Sequence, residues 1–420
     1  MQTEPLTFAG VCDWAGIVRG KAFPDADLAA RLAKGVGLTH TNIMMSCFGP
    51  IYTTPFGTAG DLIIRPDPDL RVEVPFDDGT AERFYLGDIA HTDGAPWECC
   101  PRGFLTRAID ALAACGLRVV ASFEQEFVLT GVEDRPGATY ALDAFRRQGR
   151  FGEALTAALR TAGLRPDSFL PEYGPQQYEA TVAPEPARRA ADAAVILREL
   201  ARAVAWRLGQ RAVFAPMLQP EGIGNGTHIH LSLWEGDLPI TRDPAQPYGI
   251  SARAAPFFAG VLAHLPAILA FSAPSVASYY RLRPDRWAPV YADLGVQDRG
   301  AALRVAPVFE TAAEDPARQF NVEFRVADAS NCPYLALGAL LWAGVDGLQR
   351  RLTLPAPGAK AALLPQSLDE ALEALERDDA AAGWWSADAM AAYLAFKRAE
   401  MKALDGDEPD AVCARYAAVY

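Results

Sequence analysis

Three short segments of the chain place acidic, imidazole or guanidinium side chains at alternate positions. They are FEQEF, THIHLSLW and NVEFRV, which carry Glu124 and Glu126, His228, His230 and Ser232, and Glu323 and Arg325. Alternate side chains of an extended strand lie on the same face. Each segment therefore predicts a strand with an apolar row on one face and reactive groups on the other. The chain has five histidines, and two of them form the HxH pair.

Carboxylates and imidazoles together are the ligands that a hard or borderline divalent cation, Mg²⁺ or Mn²⁺, prefers. Two further acids, Glu172 and Glu179, bound the segment PEYGPQQYE, whose turn residues let a loop present one acid and a following strand the other. A single glutamate of this kind is normally a solvated surface acid. The set of five acids with the HxH pair predicts a divalent-cation site instead. A metal-dependent amidohydrolase would need more histidine ligands than the isolated His40, His91 and His264 supply.

The segment 281–325 is rich in arginine and contains no lysine. Arginine recognises carboxylate and phosphate groups through two parallel hydrogen bonds. Arginine also far outnumbers lysine in the whole chain, and this bias is sufficient to explain Arg283 and Arg286. The glycines of GIGNGTHIH allow a ligand to approach the backbone, but the segment lacks the context of a phosphate-binding loop. The seven arginines are Arg281, Arg283, Arg286, Arg299, Arg304, Arg318 and Arg325.

The length and composition of the chain exclude several classes of protein. A chain of 420 residues has room for two or three domains, and 50% hydrophobic with 22% charged residues is typical of a folded protein. The net charge of −13 argues against a nucleic-acid partner. The start of the chain lacks a signal pattern, and the seven cysteines form no CxxC pair. We therefore expect a cytoplasmic protein with reduced thiols.

The distribution of helix and strand patterns predicts an α+β fold. Residues 1–100 are turn-rich, with short β-favouring runs, whereas residues 101–420 alternate strands with long helices. Apolar periodicity predicts helices from Pro101 to Gly116 and over 188–209, 333–351, 367–377 and 387–404. The uncharged stretch 254–280 contains three prolines and predicts a buried core helix over 257–271, so we expect no membrane partner.

These segments, taken in order, resemble the glutamine synthetase family in its bacterial class. The matching pieces include DWAGIVRGK, FEQEFVL, EYGPQQYE, GxGTHIHLSLW, SYYRLRP, DRGAALRV and NVEFRVADASNCPYLALG, and they extend over almost the whole chain. The resemblance implies a β-grasp domain over 1–100 and a catalytic domain over 101–420. It also implies a homo-oligomer of two stacked hexameric rings, in which the β-grasp domain of one subunit completes the active site of its neighbour.

The resemblance also implies roles for single residues, with ATP as a substrate and two or three Mg²⁺ or Mn²⁺ ions in each site. Glu126, Glu172 and Glu179 match the ligands of one ion, and Glu124, His228 and Glu323 match those of another. His230, Ser232, Arg304 and Arg318 match contacts to ATP. Arg281, Arg325 and Gly224 match contacts to the glutamate substrate. Arg299, which matches an arginine that reaches the transferred phosphoryl group, and Glu323 are the predicted catalytic residues.

The groups that handle ammonium in ammonia-using relatives are absent. The Asp-Gly-Ser-Ser-Ile motif of their first domain corresponds here to MMSCFGPIYTTPFGTAGDLI, which lacks its aspartate. Their flap glutamate lies six residues after the arginine of SYxR, and that position is Trp287. Ile223 replaces an asparagine that commonly precedes the glycine next to the glutamate amino group. The segment that is adenylylated in some relatives is also missing after Gly347.

The resemblance together with these losses predicts a ligase that joins the γ-carboxylate of glutamate, or of an analogue, to a primary amine. Trp287 is large and apolar and cannot accept a proton, so it suits a pocket for the carbon skeleton of an amine better than one for ammonium. A packing residue on a rearranged flap is the other interpretation of Trp287. The alternatives for the whole chain are an ordinary ammonia-using glutamine synthetase and a non-catalytic sensor or scaffold of the same family. The identity of the amine stays open.

Overall fold

The N-terminal part of the chain forms a small mixed sheet. The computed structural model describes residues 3–49, 52–57, 59–134, 137–311 and 314–420. The strand order in this sheet is β2-β1-β5-β4-β3, with β1 and β5 parallel and the other neighbours antiparallel. Its elements are β1 (Leu6–Cys12), β2 (Val18–Pro24), α1 (Leu28–Lys34), β3 (Val36–Leu38), β4 (Leu62–Pro75) and β5 (Ala81–His91).

A second, larger sheet forms the centre of the remaining chain. Its main path runs in the order β13-β14-β15-β11-β6-β8-β7, and β9, β10 and β12 pair at its sides. Its strands are β6 (Arg118–Thr130), β7 (Pro166–Pro171), β8 (Gln177–Val182), β9 (Glu185–Pro186), β10 (Arg211–Val213), β11 (Thr227–Glu235), β12 (Leu238–Pro239), β13 (Leu294–Val296), β14 (Leu303–Val305) and β15 (Val322–Phe324). The α+β fold class is thereby confirmed.

Helices pack beside the larger sheet and around one another. They are α2 (Pro101–Ala114), α3 (Leu142–Thr161), α4 (Ala187–Arg207), α5 (Ala255–Ala263), α6 (Leu265–Ser272), α7 (Ser278–Arg281), α8 (Pro316–Gln319), α9 (Pro333–Arg350), α10 (Leu368–Arg377), α11 (Ala387–Lys402) and α12 (Pro409–Val419). The predicted helices ending at Gly116 and near Gly209 end as expected, because both glycines have a positive φ. The helix predicted over 257–271 is wrong as a single element: the chain breaks at His264, two residues before Pro266, into α5 and α6, whose axes differ by 75°.

No single helix within the described ranges is both long and apolar enough to cross a membrane. The helices α5 and α6 are long and apolar enough for this only when the two are added together, and they are bent relative to each other. Most of its residues are buried in the core of the structure, in contact with α9 and α10.

The N-terminal sheet and the larger part of the chain share one hydrophobic core. Trp14 is buried and makes edge-on contacts to the rings of Trp385, Tyr393 and Phe396, with centroids 5.5–5.7 Å apart. The buried guanidinium of Arg102 binds acids from both parts, with distances of 2.8–2.9 Å to Asp67, Asp88 and Asp192. A buried cation with three carboxylate partners fixes the relative position of the elements that carry them, because losing the partners would leave its charge uncompensated.

Candidate active site

Strand register brings the polar faces of the three predicted strands together on the larger sheet. On one face of β11, Ile229, Leu231 and Leu233 are fully buried, so His228 and His230 project from the other face. The cross-strand neighbours then follow from the pairing of β6, β8, β11, β14 and β15. The opposed pairs are Glu124 with His228, Glu126 with Glu179, His230 with Glu323, and Glu323 with Arg304.

Glu124 contacts both histidines of the HxH pair. One of its carboxylate oxygens lies 2.9 Å from Nδ1 of His228, and the other lies 2.9 Å from Nε2 of His230. Nδ1 of His228 also lies 3.4 Å from Glu323, and Nε2 of His228 lies 3.9 Å from Glu126. Glu124, His228 and Glu323, the predicted ligands of one cation, therefore lie beside one another without any rearrangement of the strands.

The carboxylates lie close to one another, and two of them have raised pKa values. Burial raises the pKa of Glu179 well above its ordinary value, and the negative charges of Glu124, Glu126, Glu172 and Glu323 raise it further. Burial, followed by the charge of Glu126, also raises the pKa of Glu172. Like charges at this spacing are unfavourable unless a cation lies between them.

The two imidazoles compensate part of this charge. Burial acts to raise the pKa of Glu124, but His230 and His228 outweigh burial, and the pKa lies well below its ordinary value. Burial likewise acts to lower the pKa of His230, while Glu124 and Glu323 raise it to about 9. A divalent cation bound among these carboxylates would supply the positive charge that the imidazoles supply here.

The donor atoms fit a divalent cation in two overlapping groups. Glu124, His230 and Glu323 offer ligand atoms within 4.8 Å of one another, and so do Glu124, Glu179 and His228. This grouping differs from the one that the resemblance implies, because it includes His230 and shares Glu124 between both groups. Glu126 and Glu172 lie at the edge of the cluster, and both line the cavity described below.

Three arginines lie directly beside the acidic cluster. Glu323, which is 1% exposed, binds Arg304 at 2.6 Å through one carboxylate oxygen and contacts Arg325 through the other. The buried Arg281 donates to the backbone carbonyls of Val326 and Arg325, at 3.0 and 3.1 Å. A Cβ atom on Gly224 would lie 2.9 Å from Cδ of Arg281 and 2.7 Å from the sulfur of Met217, so only glycine permits this close approach.

A cavity of about 910 Å³ opens from the acidic cluster to the surface. Ten of the fifteen predicted site residues line it, and they come from strands, loops and helix α7. Those ten are Glu124, Glu126, Glu172, Glu179, Gly224, His228, Arg281, Trp287, Arg299 and Arg325. The other five, which do not line this cavity, are His230, Ser232, Arg304, Arg318 and Glu323.

The four predicted contacts to ATP lie beside Glu124 and Glu323 or around Trp234. His230 contacts Asn321 at 2.8 Å, and Ser232 accepts a hydrogen bond of 2.9 Å from the indole of Trp234. The guanidinium of Arg318 lies 5.1 Å from the centre of the Trp234 ring. The structure thus separates the residues predicted to bind ATP from most of those predicted to bind glutamate and the amine, with Glu124 and Glu323 between them.

Trp287 lies at the mouth of the cavity. Its indole stacks on the ring of Tyr173, with centroids 5.4 Å apart and an angle of 28° between the planes, and 68% of its surface is exposed. Tyr140 lies nearby on the cavity wall and donates a hydrogen bond of 3.0 Å to Glu172. Trp287 is therefore a wall residue of the cavity, with much of its surface free for a ligand to cover.

Comparisons with known proteins agree with this arrangement. A family model described as the glutamine synthetase catalytic domain matches residues 98–416, and one described as the glutamine synthetase N-terminal domain matches residues 3–97. The chain belongs to the glutamine synthetase family. Members of this family are ATP-dependent ligases that use divalent metals, so the chain is an ATP-dependent carbon–nitrogen ligase. The alternative of a non-catalytic sensor is set aside.

Individual relatives within the glutamine synthetase family differ in their named activities. The chain is 35% identical to the gamma-glutamylpolyamine synthetase GlnA3 of Streptomyces coelicolor, over 96% of this chain and 91% of the relative. It is 32% identical to the glutamine synthetase of Pyrococcus abyssi, over 76% of this chain and 74% of the relative. A crystal structure of a novel glutamine synthase homolog superimposes with a TM-score of 0.95 at 41% identity, covering 100% of this chain and 99% of that one.

Several cavity residues were not anticipated from the sequence. Gln177 is buried and donates to the carbonyl of Gly224 and to Asn225, at 2.8 and 2.9 Å, which ties β8 to the loop before β11. Tyr173 and Gln177 both lie inside PEYGPQQYE, so the motif contained the signal, but only the contacts show their roles. Part of the stretch MMSCFGPIYTTPFGTAGDLI, residues 50, 51 and 58, lies outside the described residues.

Proposed function

We propose that this member of the glutamine synthetase family is a glutamate–amine ligase. ATP transfers its γ-phosphoryl group to the γ-carboxylate of glutamate and leaves as ADP. The nitrogen of a primary amine then attacks the carbonyl carbon of the γ-glutamyl phosphate, the carbon–oxygen bond to phosphate breaks, and the amine loses its proton. The products are a γ-glutamylamide, ADP and inorganic phosphate.

The position of Trp287 on the cavity wall carries this proposal. An indole cannot take a proton from ammonium, but it can cover the carbon skeleton of an amine. At about 25 cal/mol per Å², burying roughly 100 Å² of apolar surface contributes about 2.5 kcal/mol, which corresponds to more than a tenfold preference. Ammonium has no apolar surface and gains nothing from this wall. The activity named for the Streptomyces coelicolor relative supports the same conclusion.

We assign the site residues the roles that the resemblance to the family implies. Arg281, Arg325 and Gly224 bind the glutamate substrate, and Arg299 and Arg304 stabilise the phosphoryl group during transfer. His230, Ser232 and Arg318 contact ATP. The acids Glu124, Glu126, Glu172, Glu179 and Glu323, with His228, would hold the divalent cations. Mg²⁺ or Mn²⁺ bound there would neutralise charge on the phosphate groups.

Release of ADP tests this proposal directly. The enzyme is incubated with ATP, glutamate, Mg²⁺ and one nucleophile at a time: ammonium, ethanolamine, alkylamines, arylamines, diamines and polyamines. We expect at least one organic amine to give a kcat/KM more than ten times that of ammonium. Reactions without glutamate and reactions without an amine are the controls. If ammonium equals the best amine over this panel, the chain is an ordinary glutamine synthetase, which is the activity named for the Pyrococcus abyssi relative.

A further inference from the structure

The mouth of the cavity combines aromatic rings with a carboxylate. Trp287 and Tyr173, which we call the aromatic wall, are both more than half exposed although they stack on each other. Asp285 lies two residues before Trp287 and lines the same cavity. Within the described parts of the chain, its exposed carboxylate has neither an ion-pair nor a hydrogen-bond partner.

The loop that carries Asp285 and Trp287 is held in one position by contacts on both sides. Arg286 donates a hydrogen bond of 2.7 Å to the carbonyl of Gly222 and forms an ion pair with Glu221. On the other side, the stack with Tyr173 fixes Trp287. Asp285 and Trp287 have φ angles of +62° and +53°, in the left-handed region that costs energy for residues other than glycine. Contacts with the surrounding structure stabilise a backbone conformation of this kind.

Some charged side chains at the mouth have an ion-pair partner and others do not. Arg286, the nearest cation in the sequence to Asp285, is engaged by Glu221 instead. The negative charge of Asp285 is therefore available to a ligand. An aromatic wall beside a free carboxylate is a site for an organic cation, because ring faces attract ammonium groups and a carboxylate pairs with them.

We propose that the mouth selects amines with a second cationic nitrogen, namely diamines and polyamines. This inference rests on the proposed function as an amine ligase. One amino group enters the cavity and attacks the γ-glutamyl phosphate, while the carbon chain lies against Trp287 and Tyr173. The distal ammonium group then pairs with Asp285. Tyr173 and Asp285 are thus specificity-determining residues, in addition to Trp287.

Two amines of the same size distinguish the effect of the amine's carbon chain from that of its distal positive charge. 1,4-Diaminobutane and n-pentylamine have the same number of heavy atoms, and only the first has a distal ammonium group. We expect the wild-type enzyme to favour the diamine. Asp285→Asn should lower the ratio of kcat/KM values, diamine over pentylamine, about fivefold, the size of one exposed ion pair. Asp285→Glu should restore most of the ratio, and raising the salt concentration should reduce it in the wild type.

A matched control is Asp379→Asn, which removes an exposed carboxylate outside the cavity and should leave the ratio at the wild-type value. If the wild type uses the two amines equally, the selectivity for a second cation is refuted while the amine-ligase function stands. If Asp285→Asn reduces kcat equally for both amines, Asp285 acts in a step common to all amines, and its proposed role is refuted. If ammonium surpasses both amines, the proposed function itself fails.

Discussion

Glu126 and Glu179 lie directly opposite each other on the neighbouring antiparallel strands β6 and β8. Two carboxylates in such a cross-strand pair normally destabilise a sheet. Here the pair is part of a larger acidic cluster, and Glu179 is only 7% exposed. The sheet therefore carries a cost that a bound divalent cation would remove, so we expect metal binding to stabilise the fold.

The first prediction concerns this cost. Saturating Mn²⁺ or Mg²⁺ should stabilise the wild type and raise its melting temperature. At a metal concentration of a hundred times Kd, the free energy of unfolding should increase by about 2.7 kcal/mol. Glu179→Gln removes a repelling carboxylate, so the metal-free variant should be at least as stable as the metal-free wild type. The same variant should lose most of the metal-induced increase. Thermal unfolding with and without a chelator measures both effects, and a full increase in the variant would refute the ligand assignment of Glu179.

A second prediction concerns glutamate binding. Arg281→Lys keeps the positive charge but loses the planar fork that reaches Val326 and Arg325 and lines the cavity. The KM for glutamate should rise at least tenfold, while the KM for ATP should change less than twofold. Arg283→Lys is the matched control, since Arg283 lies over the ring of Tyr280 and does not line the cavity. An unchanged KM for glutamate in Arg281→Lys would show that the carboxylate of glutamate binds elsewhere.

A third prediction concerns His264, at the break between α5 and α6. Its two ring nitrogens contact Asp378 at 2.6 Å and Asp346 at 2.8 Å. Burial acts to lower the pKa of His264, but the two carboxylates outweigh burial and raise it, while the imidazole of His264 lowers the pKa of Asp378 against the opposing effect of burial. The folded pKa of His264 thus exceeds the unfolded value of about 6.5. Its contribution to stability is complete below about pH 6.5 and is lost as the pH rises through the folded pKa.

The comparison of His264→Asn with the wild type tests this direction of the pH dependence. The loss in free energy of unfolding should be about 2 kcal/mol near pH 6, and it should become smaller as the pH rises above the folded pKa of His264. Below the range in which Asp378 is ionised, the loss should also decrease. Denaturant unfolding at a series of pH values gives the difference curve. A loss that grows with pH would contradict the ion-pair account.

A fourth prediction concerns assembly. The resemblance to bacterial glutamine synthetases predicts two stacked hexameric rings in which a neighbouring N-terminal sheet completes each site. Light scattering should therefore report a particle of about twelve subunits, and dilution to monomers should abolish the ADP release. A monomer with full activity at assay concentration would refute a shared site.

The strand faces were predictable because they depend on alternation alone. His228 and His230 alternate with buried aliphatic residues, and the same rule holds for Glu124 and Glu126 between Phe123 and Phe127. Once the strands pair, register makes the acidic cluster unavoidable. The resemblance to the family then gave the roles that alternation cannot supply.

Other features depend on contacts that no local pattern contains. Helix α3 was not anticipated, and its Gly152 lies against the ring of Phe169 on β7, so tertiary packing outweighs the low helix propensity of glycine. The stack of Trp287 on Tyr173 joins two loops that are distant in the sequence. The prediction of a single helix over 257–271 failed because hydrophobic periodicity continues across the break at His264, where Pro266 and the two aspartates impose a bend.

One competition experiment distinguishes an amine ligase from an ammonia-using glutamine synthetase. The wild-type enzyme is given glutamate, ATP, Mg²⁺ and equal concentrations of ammonium and 1,4-diaminobutane, and the products are quantified by mass spectrometry. Parallel reactions use Trp287→Glu, which restores an acid at the flap position and should shift the product ratio toward glutamine. We expect the wild type to form the γ-glutamylamide in more than tenfold excess over glutamine. Glutamine as the main product, with no organic amine in the wider panel outcompeting ammonium, would contradict it.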